Sequence, residues 1–139
     1  MIRPARPADE KRLSAIQSAA LDEPWAELLA VGIEGAPLVL VVDPGAGPIA
    51  YTLVVPDHPT AYVAELAVAP GMQGQGHGTQ LLDALLARLR SEGFEEVRLT
   101  ARADDERVRS FYDSFDFTVS ERLPDHYDDG DGVLLVRPL

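Results

Sequence analysis

Four glycines within eight residues, Gly71, Gly74, Gly76 and Gly78, separate the short run Leu66 to Val68 from a leucine-rich stretch that begins at Leu81. Without Cβ bulk the backbone can turn several N–H groups toward one point, at the start of a helix whose dipole favours negative charge. A phosphate-bearing ligand is the chemistry that this spacing suits. Two common phosphate loops fail on residue type. A Walker loop ends Gly-Lys-Ser/Thr, whereas Gly76 is followed by His77 and Gly78, with no lysine to reach a γ-phosphate. The dinucleotide fingerprint would start at Gly74-Gln75-Gly76 but needs a glycine where Thr79 stands.

The pattern that fits is Gln/Arg-x-x-Gly-x-Gly/Ala, met by Gln73, Gly76 and Gly78 directly after Val68-Ala69-Pro70. A second pattern follows at Asp105-x-x-Val108-x-x-Phe111-Tyr112-x-x-x-Asp116-Phe117. The first resembles the acetyl-CoA loop of the GNAT superfamily of N-acetyltransferases. The second is similar to that superfamily's Asn-x-x-Ala-x-x-Leu/Phe-Tyr-x-x-x-Gly-Phe, with Asp105, Val108 and Asp116 as departures. Asp116 puts a Cβ where a left-handed C-cap is expected, which aspartate tolerates at a small cost. Together the motifs span residues 65 to 117, and the order of elements extends the match to nearly the whole chain.

The resemblance implies acetyl-CoA as cosubstrate, held by Leu66, Ala67, Val68, Gln73, Gly74, Gln75, Gly76, His77, Gly78, Thr79 and Asp105. It implies direct attack of an amine on the thioester, and the absence of cysteine agrees with a reaction that has no thiol nucleophile. Tyr112 is the expected acid for the CoA sulfur, a phenol near pKa ~10 facing a thiol near ~8.5; the alternative is a core aromatic beside Phe111 and Phe115. Backbone N–H groups near Leu66 to Val68 are expected to meet the developing oxyanion, where the family splays two neighbouring strands. Glu65, eight residues before Gln73, is either the base or a buried structural carboxylate. Tyr62 is placed to orient the acceptor or a water. Thr100 stands where the similar ribosomal-protein N-terminal acetyltransferases often carry glutamate, and threonine cannot be that base.

The tail Asp125-His126-Tyr127-Asp128-Asp129-Gly130-Asp131-Gly132 is similar to a segment that shapes the peptide pocket of N-terminal α-amino acetyltransferases, with His126 replacing one tyrosine. A plain acidic hairpin turn is the alternative. Asp22-Glu23-Pro24-Trp25 is similar to their first-helix loop. Trp25, His126 and Tyr127 are therefore candidate acceptor contacts with Tyr62, although for Trp25 an anchor to the sheet is the better expectation. His58, His77 and His126 lack metal-ligand spacing, so no metal is expected.

The elements that must position these groups are legible along the chain. Ile2 and Arg3 open an edge strand. Pro7, Asp9 and Glu10 suit a helix start before Leu13, Ile16, Ala19 and Ala20. A second helix follows Asp22, with Pro24 in its first turn. Leu38 to Val42 and Ile49 to Val55 flank turn residues 43 to 48 and predict a hairpin. Ala61 to Val68 is the next strand. Leu81, Leu82, Leu85, Leu86 and Leu89 form the stripe of a helix ending near Gly93. Val97 to Ala101, a helix capped near Asp105 and running through Phe115, and strands Phe117 to Leu123 and Val133 to Leu139 complete the set, the last two joined by a polar turn from Pro124 to Gly132. The order β-α-α-β-β-β-α-β-α-β-β predicts an α/β fold of the α+β type. It has six to seven strands in a mixed, mostly antiparallel sheet with about four helices, as one domain over 1–139.

The net charge of −11, with Lys11 the only lysine, argues against polyanionic partners, whether nucleic acid or an anionic membrane face. Acidic residues are spread along the whole chain, which suits salt adaptation. No apolar run nears a membrane span and the N-terminus has no signal core, so a cytoplasmic protein is expected, monomer or homodimer. The functional expectation is an acetyl-CoA-dependent N-acetyltransferase acting on a primary amine, such as a protein N-terminal α-amine. The alternatives are a small-amine or polyamine acetyltransferase and a non-catalytic acyl-CoA-binding module.

Overall fold

The computed structural model describes residues 1–34 and 38–139, and its elements follow the expected order. They are β1 (Ile2–Pro4), α1 (Glu10–Ala20), α2 (Ala26–Ile33), β2 (Leu38–Val42), β3 (Ala50–Asp57), β4 (Thr60–Val68), α3 (His77–Ser91), β5 (Glu96–Arg102), α4 (Glu106–Asp113), β6 (Thr118–Tyr127) and β7 (Gly130–Pro138). Single 3-10 turns lie at Pro7–Asp9 and Pro70–Met72. The seven strands form one sheet in the order β1-β2-β3-β4-β5-β7-β6. Every pairing is antiparallel except β4 with β5. Among the described residues no helix is long and apolar enough to cross a membrane.

Both faces of the sheet are covered, which explains why β2 is apolar at every position. Leu40 and Val42 join the core under α3, while Val39 and Val41 join the core under α1 and α2. The five leucines of the α3 stripe are all buried. Burial of that kind stabilises by roughly 2 kcal/mol per side chain, so this stripe holds the helix that starts at the glycine loop. Gly93 closes α3 at φ 83° and Asp116 takes the expected left-handed φ of 66°.

One irregularity places the site. β3 and β4 lose register between Leu53 and Val54, because Leu53 pairs with Glu65 and Val54 with Val63, leaving Ala64 as an extra residue. A bulge turns two successive side chains to one face. Ala61 and Val63 therefore pack under α3, Ala64 and Ala67 pack under α1 and α2, and Leu66 and Val68 return to the α3 side. Glu65 goes with Ala64, toward α1.

Four expectations are corrected. α2 begins at Ala26, so Pro24 precedes it, and Trp25 sits at the N-cap with 53% of its surface exposed. It does not anchor the helix to the sheet, since its two aliphatic neighbours Leu28 and Leu29 do that. α4 ends at Asp113, leaving Phe115 beyond it. The polar stretch Pro124 to Gly132 is mostly strand, with the turn confined between Tyr127 and Gly130. β6 is an exposed edge strand, where pairing does not require apolar side chains. Gly132 makes room for it, as a Cβ there would lie 3.0 Å from His126.

Candidate active site

β4 and β5 pair only from Thr60–Glu96 to Tyr62–Arg98 and then part. The chain of β4 beyond Tyr62 is thus bonded to β3 on one side and open on the other. Past Val68 the 3-10 turn and Gly74 and Gly76, at φ 77° and 86°, carry the backbone into α3. The first intrahelical bond across that boundary runs from Gln80 N–H to Gly76 C=O at 3.0 Å. The N–H groups of His77, Gly78 and Thr79 precede it, so they have no carbonyl of their own helix to meet. Gln73 Nε2 donates to Val68 C=O at 3.1 Å and braces the turn. Gly78 lies against Phe111, where a Cβ would make ordinary contact at 3.5 Å.

These groups line one cleft of about 460 Å³. β4 contributes Leu66, Ala67 and Val68, the turn contributes Gln73, Gly74, Gly76, His77, Gly78 and Thr79, and α4 contributes Asp105, Val108, Phe111 and Tyr112. Gln75 does not line it. The cleft has an anion-binding end of backbone amides and an apolar wall of Leu66, Val68, Val108 and Phe111, which fits a pyrophosphate carrying a long, mostly apolar arm. Asp105 accepts from Val108 N–H at 3.1 Å, so part of its carboxylate is spent capping α4. Arg107, which sequence reasoning passed over, adds a cation to the cleft wall. Its only signal was an arginine directly after the acidic run Asp104-Asp105-Glu106.

Tyr112 is buried against Phe111 and Phe117, with ring centroids 5.1 and 5.4 Å away. Among the described residues no group hydrogen-bonds its hydroxyl, and it borders the cleft. Burial pushes its pKa well above that of a free phenol, holding the proton on.

Glu65 is the opposite case. Its buried carboxylate accepts from Gln17 Nε2 at 2.9 and 3.2 Å, from Trp25 N–H at 2.8 Å and from the Tyr51 hydroxyl at 2.9 Å. These donors take up the positions a carboxylate offers. Burial first, then the charge of Glu65, pushes the Tyr51 phenol far up, so it stays a donor. Gln17 and Tyr51 were missed. The available signal was a polar residue on the buried stripe of α1, beside Leu13 and Ile16, and a phenol in the otherwise apolar middle of β3.

On the α1 side of the β4–β5 opening, the Tyr62 hydroxyl lies 3.1 Å from Thr100 Oγ1. Two residues along β5, Arg102 pairs with Asp129, lies 3.7 Å from Glu23 and sits 4.5 Å over the Tyr127 ring. The Arg102 cation holds the Asp129 carboxyl below its usual range. His126 packs edge-on to Tyr127 at 4.8 Å. The structure thus connects Tyr62 and Tyr127 along the face of β5, with exposed Trp25 two residues from Glu23 and His126 on the outer hairpin. Arg102 was missed because its partners are distant in the chain. Among the described residues no cluster of three or more His, Asp or Glu could hold a metal ion.

The sequence pattern described as the Acetyltransferase (GNAT) family matches residues 8–117. The chain is 39% identical over 83 residues to mycothiol acetyltransferase of Beutenbergia cavernae, covering 58% of this chain but 28% of that protein. It is 30% identical over 125 residues to the [ribosomal protein bS18]-alanine N-acetyltransferase of Haemophilus ducreyi, covering 89% of this chain and 86% of the relative. Its fold superposes on the crystal structure of the ribosomal-protein-S18-alanine N-acetyltransferase from Escherichia coli with a TM-score of 0.90 at 24% identity, over 99% of this chain and 92% of the other. With the family pattern running from α1 through α4 and the relative aligned over most of both chains, this protein belongs to the acetyltransferase (GNAT) family.

Proposed function

We propose that this chain is an acetyl-CoA-dependent N-acetyltransferase, working as one cytoplasmic domain over residues 1–139, whose acceptor is the α-amino group of a peptide N-terminus. One observation carries the reading. A single cleft joins the free amides at the start of α3, the open side of Leu66–Val68 and the partnerless hydroxyl of Tyr112. Acetyl-CoA supplies a thioester whose carbonyl is open to attack by an amine. The amides of His77, Gly78 and Thr79, with Arg107 near, hold the phosphates. Leu66, Val68, Val108 and Phe111 shelter the arm from water. Tyr112, kept protonated by burial, would hydrogen-bond the departing sulfur, and the proton shed by the amine would neutralise the thiolate as the C–N bond forms and the C–S bond breaks.

The choice of acceptor follows from the missing base. Glu65 is occupied by three donors and is assigned here to holding Trp25 and α1 in place, and Thr100 cannot accept the proton. A site with so little basicity favours an amine that is already partly neutral. An α-amine near pKa ~8 is about one-tenth neutral at pH 7, whereas a lysine amine near ~10.4 is neutral in fewer than about one in a thousand molecules. The relative named for acetylating an alanine of ribosomal protein bS18 supports the same acceptor class.

Thiol release from acetyl-CoA, measured across peptides with free α-amines, peptides with only lysine amines, and small polyamines, tests this. Turnover restricted to free α-amines is the expected result. Faster turnover of polyamines would move the assignment to small amines. CoA binding without turnover of any acceptor would make the chain an acyl-CoA-binding module.

A further inference from the structure

On the α1 side of the β4–β5 opening, two segments from opposite ends of the chain come within reach of one side chain. One is the α1–α2 connection, residues 21–25; the other is the β6–β7 hairpin around Tyr127. Arg102, at the end of β5, touches both. Its guanidinium pairs with Asp129 and reaches Glu23 at 3.7 Å while its Cζ lies 4.5 Å over the centre of the Tyr127 ring. Among the described residues no other side-chain hydrogen bond or ion pair joins these two segments.

We propose that Arg102 is a positioning residue for the acceptor, a clasp whose closure sets the width of the mouth through which the amine reaches the β4–β5 opening. The proposal rests on the acetyltransferase reading given above. The residue type matters. A flat, always-charged guanidinium can serve two carboxylates along its edges while its face lies on a ring; a lysine ammonium has no such face and no fixed fork. The two ends of the α1–α2 connection are also held differently. Inside, Trp25 N–H is tied to buried Glu65, out of reach of salt. Outside, Glu23 and Asp129 are largely exposed, with side chains 48% and 77% accessible. Salt therefore loosens the outer tie and leaves the inner one, since a Debye length falls to about 3 Å at 1 M.

Trp25 is the only tryptophan in the chain and lies two residues from Glu23, so its fluorescence reports the clasp without any turnover. The experiment compares the wild type, Arg102→Met and Arg102→Lys. Trp25 anisotropy and acrylamide quenching are read at low and high NaCl, along with KM for an alanine-started peptide, KM for acetyl-CoA, and kcat. Arg102→Met should raise the peptide KM on the order of 5- to 10-fold, the size expected from losing a cation–π contact and exposed ion pairs. KM for acetyl-CoA and kcat should stay within about twofold. Its Trp25 should be as mobile at low salt as the wild type's is at high salt, and insensitive to salt. Arg102→Lys should recover part of both effects. Equal Trp25 signals in Arg102→Met and wild type at low salt would overturn the clasp, as would a parallel rise of both KM values. If the wild type turns over no acceptor but Trp25 responds as stated, the acetyltransferase reading fails and the clasp stands.

Discussion

On the α3 side of the β4–β5 opening, most groups that face the cleft come from Leu66–Val68 at the end of β4, from the turn into α3 apart from Gln75, and from the first turns of α4. Their contacts are backbone amides and apolar walls. On the α1 side, the same opening is framed by side chains from four separate places: Tyr62 on β4, Thr100 and Arg102 on β5, Glu23 before α2, and Tyr127 with Asp129 on the hairpin. In the first region the turn itself is shaped by local backbone geometry, and α4 closes it from one side. The second exists only once the fold has assembled, and it is held by charges and rings that substitution readily changes.

The comparison is broken most severely from the cofactor side. Gly76→Val forces a β-branched residue into φ 86°, a conformation costing such residues on the order of 1–3 kcal/mol. It also turns away amides whose hydrogen bonds to a charged group contribute roughly 1.5–3 kcal/mol each. CoA affinity by calorimetry should fall on the order of 100-fold or more, with Trp25 fluorescence unmoved. A change in Trp25 would show that the two regions are not separate.

Tyr112→Phe should lower kcat by about 100-fold while CoA affinity holds. An unchanged rate would return Tyr112 to being an aromatic packed against Phe111 and Phe117.

Glu65→Gln sharpens the contrast from the acceptor side. The amide nitrogen would face donors where a carboxylate oxygen now accepts, so stability should drop by about 1–3 kcal/mol in urea denaturation. The KM for peptide should rise through the loosened Trp25 loop, and the affinity for CoA should not change. Loss of turnover with an unaltered peptide KM would instead mark Glu65 as a proton acceptor.

The smallest effect lies outside both regions. Arg3 pairs with Asp9 at 2.7 Å and with Asp43 at 2.8 Å, joining β1 to the turn before β3. Its hydrogen bonds hold both carboxyls below the usual range, Asp43 at about 2 against an ordinary 3.8. Because the folded values are depressed, this contribution to stability is complete above pH ~4 and is lost as the pH falls toward ~2. Arg3→Met should show a shallower fall of the urea midpoint over that window, with no effect on CoA affinity at neutral pH.

What residue order by itself determined here was local. The leucine stripe of α3, the glycines that must turn before it, the Asp105 cap and the left-handed Asp116 are all set by residues within a few positions of one another. Backbone dihedrals and a 3.6-residue period need nothing further away. The element order and the turn that opens α3 were legible for that reason. Tertiary structure alone decided the rest. β7 enters the sheet between β5 and β6, and the long hairpin it forms keeps polar residues in strands that their types did not suggest. The extra residue at Ala64 reverses the parity of β4 and sends Glu65 to Gln17, Trp25 and Tyr51. Arg102 gathers partners from both ends of the chain. Trp25, expected against the sheet, sits at the N-cap of α2 and is left exposed, while Leu29 and Ile33 are the side chains buried beneath the helix. Strand parity, pairing order and ion pairs of this kind are settled by what lies across the sheet, and no window along the chain contains that information.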